Sequence, residues 1–150
     1  MVFPPPLQEI IRLFSGLAES ERRELLISFA DQAPHHAPAE TETFVLEEVR
    51  RDTECSDTVG VFLNISHGQR VQFRVALGPQ VQTLTRAMTA ILCQGLNGAP
   101  AREILAVPAE IVPQIVGADL VRLRSRTVYY LLGRMKVAVQ HWLDLERAAQ

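Results

Sequence analysis

Residues 58–77 read TVGVFLNISHGQRVQFRVAL. Val59, Val61, Leu63 and Ile65 fall on one side of an extended chain. Val71, Phe73, Val75 and Leu77 repeat the pattern, and a period of two belongs to half-buried strands. Between the two runs stands His67-Gly68, where glycine supplies the positive φ of a hairpin turn. An antiparallel hairpin is therefore predicted here, and Gly78-Pro79 ends it.

Upstream of the hairpin, TFVLEEV (43–49) alternates weakly and reads as a further strand. After Gln80 the period changes. Val81, Leu84, Met88, Ile91 and Leu92 form a helical stripe that Gly95 and Gly98 close. REIL (102–105) and PAEIVPQIV (108–116) read as short helical turns, interrupted by Pro108 and Pro113. The last helix is predicted from Ser125 to Ala148 on the face made by Val128, Leu131, Leu132, Met135, Val139 and Trp142. Tyr129 and Tyr130 fall at its core and rim.

At the other end, Leu7, Ile10, Ile11 and Phe14 have helical spacing behind Pro4, Pro5 and Pro6, up to Gly16. A second helix opens near Ser20, with Glu21 and Glu24 in its first turn, where acids suit the helix dipole. It carries Leu25, Leu26 and Phe29 and stops near Asp31. QAPHHAPAET (32–41) reads as a loop. Helices, strands, helices in that order predict an α+β fold in one domain over 1–150: a small antiparallel sheet of about three strands flanked by helices.

Composition agrees. The 150 residues are 47% hydrophobic and 21% charged, with net charge -2, which is ordinary for a globular chain and argues against disorder. There is no basic excess of the kind nucleic-acid binding needs. No run is long and apolar enough to span a bilayer. MVFPPPLQEIIRLF lacks the charged and apolar regions of a signal peptide, so the expected location is cytoplasmic. There, the two cysteines are expected to be free thiols.

Those cysteines differ in setting. Cys93 falls within an apolar helix, beside Ile91 and Leu92, and reads as a small buried hydrophobe. Cys55 stands just ahead of the hairpin, in RRDTECSD (50–57), among charged and hydroxyl residues. By pattern alone it is either an incidental cysteine at a strand entrance or a working thiol. His35-His36 has no third ligand at a metal-binding spacing and reads as solvated loop. His67 reads as a turn residue. It lies a strand length from Cys55, too far along the chain to suggest a Cys-His hydrolase. VRLRSR, with Arg122, Arg124 and Arg126, makes a basic patch where the last helix begins, against the helix dipole.

The order of these elements and several motifs together resemble the SufE family, the sulfur acceptors of iron–sulfur cluster assembly. PPLQEIIRLF stands where that family has its opening helix. ECSDTVGVFL stands where it has its reactive cysteine and following strand, matching the cysteine and the apolar run. FRVA ends the hairpin as the family's F-R-A does. TRAM and NGAPAREIL follow at the spacing of the central helix and its exit, and RSRTVYYLLGRM lies in register with the final helix. The departures are Glu54 for a glycine, Ser56 for a glutamine and Gly60 for a tryptophan. Ala76 to Pro79 replace an acidic cluster, and Arg126-Thr127 replace an Asn-Gly.

The resemblance implies that Cys55 is the acceptor thiol, with Arg86 and Arg124 on the family's arginines. With Glu54, Ser56 and Asp57 they would support the cysteine loop or meet the partner. It implies a pyridoxal-phosphate cysteine desulfurase as partner and an iron–sulfur scaffold downstream, with no cofactor or metal held by this chain. The chain would be a sulfur carrier and desulfurase activator rather than a stand-alone enzyme. A carrier thiol needs its thiolate and access. Arg50 and Arg51 favour that thiolate, and the nearer Glu54 and Asp57 oppose it. The expected Cys55 is weakly acidic until a partner adds positive charge. The alternative is a non-catalytic desulfurase-binding or scaffold module of the same fold, its active loop diverged. A stand-alone thiol enzyme is the third reading.

Overall fold

The computed structural model describes residues 3–51 and 58–150. In chain order these form α1 (Pro5–Phe14), α2 (Glu19–Ala30), a 3₁₀ turn (Ala33–His36), β1 (Leu46–Arg51), β2 (Thr58–Ser66), β3 (Arg70–Leu77), α3 (Thr83–Leu96), α4 (Ala101–Ala106), α5 (Ile111–Val116) and α6 (Ala118–Ala148). The predicted α+β class holds: one antiparallel sheet in the order β1-β2-β3, with helices packed around it.

The hairpin forms as its alternation requires. Val59, Val61 and Leu63 of β2 and Val71, Phe73 and Val75 of β3 are buried, and the strands pair from Val59↔Leu77 to Ser66↔Arg70. The turn takes one residue more than His67-Gly68: Gly68 and Gln69 both have positive φ, 76° and 61°.

α3 is the structural centre. Met88, Ile91, Leu92, Cys93 and Leu96 are all fully buried, and the helix packs against α1, α2, α6, β3 and the 3₁₀ turn. The chain leaving it caps the free side of β3. Gly98 N–H donates to Val71 O, Val71 N–H donates to Ala99 O, and Asn97 Oδ1 accepts from Phe73 N–H at 2.7 Å. β3 is thereby covered, and β1 is left as the outer strand of the sheet.

Several boundaries differ from expectation. β1 starts three residues later than TFVLEEV, at Leu46, and runs to Arg51. The loop after α2 contains the 3₁₀ turn. Pro113 lies inside α5 rather than breaking it, because an amide in a helix's first turn has no intrahelical acceptor to lose. α6 starts at Ala118, seven residues before Ser125, and its one non-helical residue is Arg124, with φ -138° and ψ 38°. Residues 118–124 lack the apolar stripe of the later turns, so periodicity alone does not reveal them.

Gly95 marks a close approach. A Cβ there would lie 2.9 Å from Leu7 Cδ1 and 3.1 Å from Leu7 Cα. Alanine at 95 gains about 1 kcal/mol of helix propensity but drives α1 off α3, an overpacking cost of about 1–3 kcal/mol. Gly95→Ala is expected to lower stability in urea unfolding by up to roughly 2 kcal/mol net, with an unchanged m-value.

Candidate functional site

The thiol that the sequence singles out, Cys55, lies outside the described residues, as do Glu54, Ser56 and Asp57. β1 and β2 pair as far as Arg51↔Thr58, so residues 52–57 connect the two ends of one antiparallel rung. On the other side of Thr58, Gly78 N–H donates to Thr58 O at 2.8 Å. A Cβ on Gly78 would sit 3.1 Å from Thr58 Cβ, so glycine lets β3 close tightly on the start of β2.

An apolar pocket of about 280 Å³ opens at this end of the sheet. The 3₁₀ turn and the chain after it contribute Ala33, Pro34 and Ala37, the end of β3 contributes Val75, Leu77, Gly78 and Pro79, and α3 contributes Arg86. Arg86 is half-buried there and is the one cation of the lining among the described residues. Arg124 does not line this pocket. It is exposed at the irregular point of α6, beside Leu123, which is 75% exposed. Of the expected arginines, then, Arg86 is the one that lines this pocket.

The wall formed by the 3₁₀ turn is fastened by polar bonds. The Gln94 side-chain amide donates to Gln32 Oε1 at 2.7 Å. Its nitrogen lies 3.3 Å from His36 Nε2, and since it can only donate, His36 accepts there as a neutral ring. Arg74 Nη1 donates to His35 O, and Arg74 pairs with Glu42 at 3.3 Å. Burial holds the His36 pKa below its ordinary 6.5, with Arg74 and His35 acting in the same direction. Of the histidines expected in a solvated loop, His35 is exposed and gives only its backbone carbonyl, whereas the His36 ring is part of the fastening; no group of three or more metal-ligating side chains occurs among the described residues.

The two thiols part company here. Cys93 is wholly buried, as expected, and burial lifts its pKa from 9.0 to about 12. That shift cuts its thiolate at neutral pH by about a thousandfold, which leaves it inert as a nucleophile.

Two rungs further into the sheet, at Val49↔Gly60, lies a polar cluster that periodicity does not single out. Arg134 of α6 is 5% exposed. Its Nη2 donates to Glu48 O at 2.9 Å and Val59 O at 3.1 Å, and its Nη1 donates to Tyr130 Oη at 2.8 Å. Glu48 Oε1 lies 2.6 Å from His141 Nδ1. A signal for the cluster exists in the sequence: Arg134 is four residues after Tyr130 and three after Leu131, on the buried face of α6.

The SufE family model, described as an Fe-S metabolism associated domain, matches residues 8–139. The chain belongs to the SufE family. Two uncharacterised SufE-like proteins of Mycobacterium tuberculosis, from strains CDC 1551 and H37Rv, are each 30% identical over 134 residues, 89% of this chain and 90% of theirs. The solution structure of a hypothetical protein from Thermus thermophilus has the same fold. Its TM-score is 0.74 at 24% identity, over 95% of this chain and 99% of that one. SufE membership gives this chain a role in Fe-S metabolism. No helix among the described residues is long and apolar enough to cross a membrane.

Two outcomes test this description. Iodoacetamide at about pH 8 should leave Cys93 unmodified in the folded protein and label it fully in urea, read by peptide mass spectrometry. The His36 pKa is lowered in the fold, so the unfolded chain takes up that proton first as pH falls. Stability should be full above 6.5 and decline below it, toward the depressed folded value. His36→Gln should flatten that limb of a stability-versus-pH curve.

Proposed function

We propose that this SufE-family chain binds a cysteine desulfurase and accepts sulfane sulfur on Cys55 for iron–sulfur assembly. The observation that carries this reading is the contrast between its two thiols. The sequence has two cysteines, and Cys93 is buried and held as the neutral thiol. The remaining thiol is the one the family register assigns to the acceptor.

The chemistry asks little of the carrier. A Cys55 thiolate attacks the outer sulfur of the desulfurase persulfide. The new bond joins Cys55 Sγ to that sulfur, and the old sulfur–sulfur bond breaks. Its electron pair leaves on the desulfurase cysteine, which takes up a proton. No oxidant or reductant is consumed, and no neighbouring base is needed once the thiolate exists.

The surroundings suit such a step. Three peptide units separate Cys55 from Thr58, a span of at most about 11 Å between Cα atoms. Thr58 is bonded to Gly78, a wall of the apolar pocket. A water-poor hollow within that reach favours holding an acceptor sulfur away from reductants, and Arg86 at its lining favours the anion over the neutral thiol. In this reading Arg86 supports the sulfur, while Arg124, exposed with Leu123 beside it, belongs to the desulfurase contact. The chain works in the cytoplasm as a carrier and activator. It holds no pyridoxal phosphate or metal of its own.

The departures at Glu54, Ser56 and Gly60 favour a second reading, a desulfurase-binding module that carries no sulfur. At Gly60 the space is closed: a Cβ would meet Phe62 Cε2 and Val49 Cγ2, each at 3.0 Å. A side chain as large as the family's tryptophan would need Phe62 and Val49 to move aside.

Incubation with a cysteine desulfurase and ³⁵S-cysteine separates the readings. Wild-type protein is expected to gain one sulfur atom on the peptide bearing Cys55, and Cys55→Ser to gain none. Stimulation of the desulfurase that persists undiminished in Cys55→Ser, with no labelled sulfur on the wild type, would establish the binding module instead.

A further inference from the structure

β1 has the sequence LEEVRR, and its side chains do not fix its own register. Leu46 is buried, Glu48 is half-buried and Val49 is 62% exposed. A strand whose apolar residues do not alternate is weakly held against a one-residue slip, which would turn every side chain to the opposite face. β1 is also the outer strand, with a partner on one side only. Yet β1 sets where the 52–57 connection starts.

A guanidinium performs the task the side-chain pattern leaves undone. Arg134 Nη2 donates to a carbonyl on each strand, Glu48 O of β1 and Val59 O of β2. In the observed pairing Glu48 faces Val61 and Val59 faces Arg50, so the two carbonyls, on opposite strands, flank the Val49↔Gly60 rung between them. A slip of β1 by one residue carries Glu48 O about 3.3 Å along the strand, out of hydrogen-bond reach of the same nitrogen. The Tyr130 hydroxyl holds Nη1, and the guanidinium lies 5.5 Å from the Tyr130 ring centroid. His141, further along α6, holds the Glu48 carboxylate. β1 is thus tied to α6 at this level through both the backbone and the side chain of Glu48.

Stability alone does not account for a cation here. Arg134 is buried, its three hydrogen bonds go to neutral oxygens, and its Nε and Glu48 Oε2 are buried without partners among the described residues. Replacing a buried charge of this kind by an apolar side chain of similar volume often leaves stability unchanged or raises it. What the apolar side chain lacks is directional bonds to two strands at once.

We propose that Arg134 is a positioning residue for sulfur acceptance: it locks the register of β1 on β2 and so fixes the two ends of the connection that carries Cys55. This rests on the sulfur-acceptor reading above. The register lock itself does not depend on that reading.

The full-length protein with Arg134→Met, which keeps the stem and removes charge and donors, is compared with Arg134→Lys, which keeps the charge and a single donor centre. Amide hydrogen exchange is followed in residues 46–51 and 70–77. Single-turnover sulfur transfer from a pyridoxal-phosphate cysteine desulfurase supplied with cysteine is followed on Cys55, well below the melting temperature of each variant.

In Arg134→Met, exchange in 46–51 should rise by about tenfold or more while 70–77 stays unchanged. The maximal transfer rate should fall by roughly tenfold to a hundredfold, with the half-saturating desulfurase concentration held within about twofold. Arg134→Lys should lie between wild type and Arg134→Met, and it carries the same test should the methionine variant fail to fold.

Unchanged exchange in 46–51 overturns the lock. Faster exchange with a full transfer rate overturns the positioning role and leaves a structural one. If wild-type protein takes no sulfur, the acceptor reading falls and the positioning role with it, while exchange still decides the lock.

Discussion

The rest of the structure is organised by the need to bury α3. TLTRAMTAILCQGL has one charged residue, Arg86, and its buried positions occur all round the helix rather than along one stripe. A helix apolar on every side must be enclosed. Met88, Ile91, Leu92 and Leu96 alone represent roughly 1.5–3 kcal/mol each of side-chain burial. α1, α2, α6, β3 and the 3₁₀ turn supply the enclosure, and Gly95 removes the side chain that would keep α1 at a distance. Because the sheet is one wall of that enclosure, its loop-bearing end has a fixed relation to Arg86.

The three strands are held in two ways. β2 and β3 are held by their alternation: the inward residues are apolar and fully buried, so a slip would expose them. The segment after α3 completes the job by bonding to β3. β1 lacks such a pattern and is tied by bonds from α6 instead. The bonds from α6 resist a slip of β1 because they weaken steeply with distance and angle. The strand leading into the cysteine connection is the one whose register depends on a helix side chain.

What can be read from sequence follows this division. The hairpin, α3 and the later turns of α6 show because burial imposes a clear period on them. Periodicity starts β1 three residues early because Phe44 and Val45 extend its apolar run, although Phe44 instead packs on Phe62, with ring centroids 5.2 Å apart. It passes over the first turns of α6 because Leu120 and Val121 pack only half-buried against the core, and Arg124 and Ser125 interrupt the stripe before the later turns. Arg86 and Arg124 come from the family register; Arg86 lines the pocket at the loop-bearing end of the sheet, and Arg124 is exposed on α6. Arg134 does not stand out, because an arginine in a helix is ordinarily solvated. Its role depends on two carbonyls 75 and 86 positions away, and no local pattern encodes those.

The separation of the two thiols bears on the proposed chemistry in one more way. A persulfide is lost when a second thiolate in the same molecule attacks its inner sulfur, which forms a disulfide and expels hydrosulfide. A carrier with two cysteines is exposed to that reaction unless the second one cannot act. Burial of Cys93 at the centre of the enclosure withholds both access and ionisation. Serine there would leave a hydroxyl to be satisfied inside α3, and a larger residue would overpack a helix already surrounded. A small, neutral, apolar thiol fits the space, and the burial that makes it fit also makes it harmless to a persulfide on Cys55. On the sulfur-acceptor reading, the core that fixes the loop's foundations also keeps the cargo from being discharged within the carrier.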